Sequence, residues 1–498
     1  MKIIDTSTAA PTDLSAMERE WVYNGLDCCV TSEVLDSLLP QLDNHTAGTY
    51  NFSRELQGPV LEMRLRGVLI DQARKSDVID EYFDKIDQLE GNLDRIVLDG
   101  VGMPHFNWRS NDHLKELFYE RLKIPVIKRG GKPTVNRTAL EKMEAYLIAR
   151  PIVRHIETMR DMFKKISMLR TEIDPDGRMR TSYNIAGTNT GRFSSSYSEF
   201  GTGGNLQNIE ESLRRVFIVD PGMKFAKFDA KSGESYVVGA LEWNLFRDGR
   251  YLEACESGDP HTAVARICWP QLPWTGDFKT DKNIAEQPYY RHYTYRFMCK
   301  KLGHGSNYGG KAETLSTQSR LPINIVLEFQ PKYFRVFPAH LQWQAWTDAE
   351  LRRTGTLISL TGRKRQFWGR RNSDETFREA IAYDPQGSLA DIVNRAMLNI
   401  WYERTAIIMM QDHDALTFMY PEETEDEVIP ILYEQLKYPV QLKHDRTLLI
   451  PYDCKTGWNR GDYDSKKNPD GLKDYIPGDK RKRQPQVGFM DRRVRRPH

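Results

Sequence analysis

Cysteine is scarce, and its placement excludes more than its number does. The chain of 498 residues holds six: Cys28, Cys29, Cys255, Cys268, Cys299 and Cys454. None forms a CxxC pair, which argues against a zinc site and against a disulfide framework. Reduced thiols in a cytoplasmic setting are the expectation. Long apolar runs are missing as well. No stretch of about 18 apolar residues exists, so neither a membrane-spanning helix nor a membrane partner is expected. The start, Met1-Lys2-Ile3-Ile4-Asp5, has no signal-peptide apolar core. Charge of one sign is not in excess either. A net charge of +2 says nothing about nucleic acid. What remains is an ordinary globular composition, 39% hydrophobic and 28% charged, with length for roughly two to four domains.

The distribution of residues says more than the totals. Basic residues gather at the end, in Lys480-Arg481-Lys482-Arg483, Arg492-Arg493 and Arg495-Arg496. Such a tail could bind phosphates by releasing counterions, and a solvated tail has the same composition. A short helical stretch runs from Ala16 to Leu39, and residues 52–175 read as mostly helical, with Leu56, Val60, Leu61 and Met63 opening an apolar stripe. Lys128-Arg129-Gly130-Gly131-Lys132-Pro133-Thr134 reads as a basic loop suited to a phosphate backbone. From about 178 the texture changes. Phe225-Ala226-Lys227-Phe228-Asp229 reads as a strand ending in a carboxylate. Ile407 to Tyr420 reads as two strands around Gln411-Asp412-His413-Asp414. A helical run between 285 and 320 carries a basic and aromatic face, and the Pro- and Trp-containing stretch Trp269 to Tyr290 reads as a surface loop.

Two acids at strand ends suit phosphoryl transfer. That chemistry needs negative charge neutralised, and two divalent ions can clamp the attacking and leaving oxygens. Mg²⁺ binds carboxylates and phosphate oxygens together. Either Asp alone is more often a turn former. The helix between them adds weight. Arg296, Lys300, His304 and Tyr308 recur every fourth residue, which places a guanidinium, an ammonium, an imidazole and a phenol on one stripe before Gly309-Gly310. Cations suit a triphosphate, and flat rings suit a base. A solvated cationic helix face would show the same spacing.

These segments resemble the motifs of the family A, DNA polymerase I-like, DNA polymerases. Asp229-Ala230-Lys231-Ser232-Gly233-Glu234 is similar to motif A, Arg296-x3-Lys300-x3-His304-x3-Tyr308-Gly309 to motif B, and Gln411-Asp412-His413-Asp414-Ala415 to motif C. Thr190-Gly191-Arg192-Phe193-Ser194-Ser195, Asn205-Leu206-Gln207-Asn208-Ile209, Asp259-Pro260-His261-Thr262, Thr361-Gly362-Arg363, Gln386-Gly387-Ser388-Leu389-Ala390-Asp391-Ile392 and Gly457-Trp458 match lesser segments, in order, over roughly 52–460. The resemblance implies an α+β right-hand polymerase, with a thumb, a palm holding an antiparallel sheet, and helical fingers. Asp229 and Asp414 would bind two Mg²⁺ ions, with Mn²⁺ able to substitute, and the Ala230 carbonyl would assist. Arg296 and Lys300 would hold the triphosphate, with Lys300 placed to protonate pyrophosphate. His261 would approach the phosphates, with His304 and Tyr308 beside the nucleotide. Glu234 would exclude a ribose 2′-hydroxyl by clash. Arg192 and Gln386 would touch the minor groove of primer–template DNA, and His413 would stand near the primer end. The expected parts are an exonuclease remnant at 1–51, thumb 52–178, palm 179–260 and 355–460, fingers 261–354, and a basic tail 461–498.

The chain departs from the family at several points. Residue 304 is usually Phe or Tyr, and Gly303 beside it costs a helix about 1 kcal/mol relative to Ala, which suggests a looser helix or simply a tolerated change. Motif C usually reads His-Asp-Glu. Ala415 replaces the Glu, and Asp412 could replace its carboxylate if the backbone is extended there; a solvated turn Asp is the alternative. Tyr23-x3-Asp27 fits the third exonuclease motif, but one Asp cannot hold a metal pair. No intrinsic 3′→5′ exonuclease is therefore expected. A separate exonuclease or processivity subunit is a partner left open beside primer–template and dNTPs. The small size fits a phage-type enzyme in bacterial or infected-host cytoplasm. A single-subunit RNA polymerase shares the Asp, Arg-x3-Lys and His-Asp pattern, though Glu234 argues against it. A primer–template binding protein without catalysis is the reading from another class.

Overall fold

The computed structural model describes residues 15–479 and 481. Helix α1, Ala16–Leu38, starts at a reciprocal cap: Ser15 Oγ accepts from the Glu18 N–H, and the Glu18 carboxylate accepts from the Ser15 N–H. It buries none of its residues. Helix α2, Gln72–Val101, starts where the Asp71 side chain accepts from the Arg74 N–H and stops at Gly102, whose φ of +67° favours glycine. Its buried stripe, Val78, Tyr82, Ile86, Leu93 and Val97, has helical spacing. That stripe shares a core with Ile152, Val153, Ile156 and Met159 of α3, Arg150–Leu169.

Five strands form the central sheet. They are β1, Met223–Ala230; β2, Ile407–Asp412; β3, Ala415–Pro421; β4, Tyr452–Gly457; and β5, Lys473–Asp474, in spatial order β2-β3-β1-β4-β5, antiparallel throughout. Alternation along the strands separates the faces. Phe228, Leu416, Phe418, Tyr452 and Cys454 enter one core; Phe225, Met410 and Met419 enter the other, beside α2 and α3. The expected α+β class with an antiparallel sheet is what the structure has.

Between β1 and β2 the chain runs through helices α4, Gly233–Phe246; α5, Arg250–Glu256; α6, Pro260–Cys268; α7; α8, Ile323–Val336; α9, Pro338–Thr354; and α10, Asp374–Glu403. Helix α7 has three consecutive pieces, Tyr295–Met298, a π-helical turn Cys299–Gly303, and His304–Asn307. The π turn ends at Gly303, and such turns recur at functional sites. A methyl at Gly303 would make only ordinary contact with the Tyr333 ring, at 3.4 Å, so space alone does not demand glycine. Gly233 differs: a methyl there would stand 2.5 Å from the Leu389 side chain, so α4 approaches α10 closely only with glycine at its start.

Three expectations change. The stretch 269–290 is not a bare surface loop. It contains helix Phe278–Ala285 and a strand Pro288–Tyr290, and Trp269 is buried against Tyr289, Tyr295 and Phe329. Residues 461–479 are not part of a tail. They supply β5 and the buried Leu472, and Arg481 lies over the Trp458 ring. The other basic residues from Lys480 onward lie outside the described residues. The basic loop at 128–134 forms a hairpin, Lys128–Arg129 with Lys132–Pro133, turning through Gly130 and Gly131 with its strands exposed.

Candidate active site

The register of the sheet brings the two acids together. Asp229, near the end of β1, pairs with Ala415 of β3, and the Ala230 N–H donates to the Asp414 carbonyl at 3.0 Å. Asp414 sits in the two-residue turn that joins β2 to β3. Both acids stand beside backbone in the left-handed region: His413 has φ +62°, and Ser232, just after β1, has φ +51°. Non-glycine residues seldom adopt that region unless surrounding structure holds them there. The turn is held from behind. Gln207 donates through Nε2 to the Gln411 carbonyl at 2.9 Å, and Gln411 donates to the His413 carbonyl at 2.9 Å.

The acids face a cleft of about 480 Å³. Asp229, Ala230, Glu234 and Asp414 line one side; His261, Arg296, Lys300 and His304 line the other. Burial, and then the Asp229 charge, raise the Asp414 carboxyl above its usual range. Asp229 itself is half exposed and has Lys227 at 3.5 Å. A pair of like charges facing one cleft favours a cation between them. The donors are hard oxygens, which suits Mg²⁺. Among the described residues no three His, Cys, Asp or Glu side chains form a ready cage. Mg²⁺ fits that arrangement, because it is held by one or two carboxylates plus substrate phosphates.

The cationic wall is pre-oriented. Arg296 donates through Nε and Nη2 to Asp259 at 2.8 and 3.3 Å, which leaves its Nη1 edge toward Glu286 at 3.6 Å. Burial alone would raise the Asp259 carboxyl; hydrogen bonds from Arg296 and Thr262 outweigh it and hold the group below its usual range. Asp259 also caps α6 by accepting from the His261 N–H. Burial pushes the His261 imidazole down to about 4, and neighbouring Arg296, Lys300 and His304 act in the same direction. It therefore offers a neutral hydrogen-bonding ring at neutral pH. Lys300 is exposed to the cleft.

Glu234, in the first turn of α4, is gripped twice. Arg192 donates through Nη2 to Oε1 at 2.5 Å, and Tyr308 donates through Oη to Oε2 at 2.5 Å. His304 stacks edge-on to Tyr308, with ring centres 5.0 Å apart, and its Nε2 is 4.0 Å from Glu234. Burial pushes the Tyr308 phenol far up. Four expected residues stand apart from the cleft lining: Arg192, Tyr308, Gln386 and His413. Gln386 is on α10 beside Gly387, whose added methyl would reach the Thr190 carbonyl at 3.0 Å. The His413 Nδ1 is buried without a hydrogen-bond partner.

Asp412, expected as a stand-in for the missing motif C carboxylate, does not line the cleft. The backbone turns after it instead of extending, so Asp412 and Asp414 are not on one strand face. Its Oδ2 accepts from Arg460 Nη2 at 2.6 Å, in a nearly buried pair. Cleft residues that sequence reasoning missed are Ser235, Lys301 and Asp453. Asp453 pairs with Asp229 across β4 and β1, so both side chains share a sheet face.

The family model described as DNA polymerase family A matches residues 76–462. The chain is 26% identical over 486 residues to a thermostable DNA polymerase I of Thermus thermophilus, covering 91% of this chain and 53% of that protein. It is 29% identical over 433 residues to the thermostable DNA polymerase I of Thermus aquaticus, covering 81% and 47%. The chain thus spans about half the length of the curated relatives it matches. The structure described as the POL domain of Pol1 from M. smegmatis, in complex with DNA primer-template and dNTP, superposes with a TM-score of 0.64. It is 23% identical, with 82% of this chain and 69% of that chain covered. The fold is therefore that of a right-hand polymerase domain, and the chain belongs to DNA polymerase family A.

Proposed function

We propose that the chain is a template-directed DNA polymerase that extends a primer with dNTPs by two-metal-ion nucleotidyl transfer. One observation carries this: two carboxylates, one near the end of β1 and one in the β2–β3 turn beside it, face across a single cleft a guanidinium, an ammonium and a neutral imidazole. Asp229, Asp414 and the Ala230 carbonyl would hold the ions. When bound, two Mg²⁺ or Mn²⁺ ions supply charge that stabilises the attacking and leaving oxygens. Arg296 would turn its Nη1 edge, which points to Glu286, toward the triphosphate, and Lys300 sits where it can give a proton to departing pyrophosphate. His261 donates a neutral hydrogen bond to a phosphate oxygen. Asp453 adds negative charge beside Asp229. Tyr308 and His304 offer ring faces near the nascent pair, and Glu234 occupies the space of a 2′-hydroxyl. Arg192 and Gln386 reach the minor groove, and His413 adjoins the primer end.

In this assignment the thumb spans 52–178, the palm about 179–260 and 355–460, and the fingers 261–354. No 3′→5′ exonuclease is assigned, because Tyr23 and Asp27 lie on a helix that buries none of its residues. A primer-extension assay in Mg²⁺ tests the proposal. Extension with dNTPs, little extension with ribonucleotides, loss with a chelator, and persistence of a mispaired 3′ end are expected. Failure to extend, or a preference for ribonucleotides, refutes it.

A further inference from the structure

We infer that a buried hydrogen-bond chain, Glu242–His340–Tyr333–Asn307–Tyr251, positions Tyr308 against Glu234 and so sets how strictly the cleft excludes ribonucleotides. The inference rests on the polymerase activity proposed above. Its members come from five helices. Glu242 lies on α4, Tyr251 on α5, Asn307 at the end of α7, Tyr333 on α8 and His340 on α9. All are at most 4% exposed. Asn307 donates through Nδ2 to the Tyr251 hydroxyl at 3.0 Å, and the Tyr333 hydroxyl donates to Asn307 Oδ1 at 2.7 Å. His340 Nε2 is 3.0 Å from the Tyr333 oxygen, and His340 Nδ1 meets Glu242 Oε1.

The directions of these bonds follow from the donors available. Asn307 Oδ1 can only accept, so the single Tyr333 proton points to it. The Tyr333 oxygen must then accept from His340, which places a proton on Nε2. His340 Nδ1 and Glu242 share the remaining proton, and burial favours the uncharged Glu242. Apolar residues of similar shape could fill this volume as stably, since a hydrogen bond contributes little net. What they could not supply is direction. Packing leaves a helix free to turn about its axis by small steps, whereas this chain fixes the azimuth at which α7 ends. Gln344 adds to the grip by donating to the Ser306 and Asn307 carbonyls at 2.9 and 3.1 Å, and Gln330 by donating to the Gly310 carbonyl at 2.9 Å.

The same two helices meet again at the cleft. Asn307 is followed by Tyr308, and Glu242 is on the helix that begins at Gly233 and carries Glu234 in its first turn. The buried chain and the Tyr308–Glu234 bond are therefore two rungs between α4 and the end of α7. Loosening the inner rung frees Tyr308 to leave Glu234, and Glu234 then has only Arg192 to hold it in the space of a 2′-hydroxyl.

Tyr333→Phe removes one hydroxyl from the inner rung and touches nothing in the cleft. Single-turnover extension gives kcat/KM for a dNTP and for its ribonucleotide. The ribonucleotide-to-deoxynucleotide ratio should rise about tenfold, the scale of one lost hydrogen bond, with dNTP kcat nearly unchanged. Combining it with Tyr308→Phe should raise the ratio no further than Tyr308→Phe alone, because both act through one contact. An unchanged ratio in Tyr333→Phe, or additive effects in the double variant, overturns the inference. If thermal melting shows Tyr333→Phe unfolded, Tyr251→Phe releases Asn307 from the other side and is judged by the same two outcomes. A wild-type chain that extends no primer would instead refute the activity itself.

Discussion

Asp412 and Asp414 are near neighbours in different surroundings. The turn at His413 sends Asp414 to the cleft and leaves Asp412 against Arg460, which is 4% exposed. Asp412→Ala would leave a buried guanidinium unpaired and should destabilise the fold by about 3 kcal/mol, measured by denaturant unfolding. Below its melting point the variant should keep the wild-type Mg²⁺ dependence, which a metal ligand would not. Glu234 tests the opposite case. Its carboxylate ties α4 to Arg192 and to Tyr308 at the end of α7, but the buried chain through Asn307 still joins those helices, so Glu234→Ala should fold. It should lose at least about tenfold of its discrimination against ribonucleotides in kcat/KM. The carboxylates that end apolar strands were legible in the sequence because a charged residue closing a hydrophobic run is locally conspicuous. Asp453 was not, since its importance depends wholly on which residue of β1 lies opposite.

Helix α10 carries a titration of its own. Asp384 is buried, accepts from the Leu360 N–H and from Ser388 Oγ, and is pushed up by burial to about 6. In the unfolded chain the same carboxyl ionises near 3.8. As pH rises, the unfolded state loses this proton first, so the contribution to stability falls between about pH 4 and 6 and is gone above that. Asp384→Asn keeps the acceptor and should flatten this part of the stability–pH curve, followed by thermal melting across pH 4–7. Elements differ in how openly the sequence shows them. Three of the four stripe residues of the α7 segment, Arg296, Lys300 and His304, reach the cleft, while Tyr308 is outside its lining. Its π turn was visible only as an out-of-place Gly303. The stretch 269–290 misled because Trp and Pro occur in loops and in cores alike. Its Trp269 is a core residue, which only tertiary packing decides.

At the scale of the molecule, the sheet divides two cores and carries the acids at one end. Phe228 and Phe418 meet edge to face at 5.9 Å on one side, while Phe225 and Met419 join the α2–α3 core on the other. A scaffold packed on both faces holds β1 and the β2–β3 turn in fixed register, which is how two acids far apart in sequence can share ligands. Motif order made that meeting legible beforehand. The second core was not, because α2 and α3 carry only an amphipathic pattern with no indication of the face they cover. The central claim is that Asp229 and Asp414 act as one site. Titrating Mn²⁺ by calorimetry into the chain with a dideoxy-terminated primer–template and dNTP tests it directly. Asp229→Ala, Asp414→Ala and the double variant should lose affinity to nearly the same extent, because either change dismantles the shared site. Independent, additive losses, or wild-type affinity in either single variant, would contradict it.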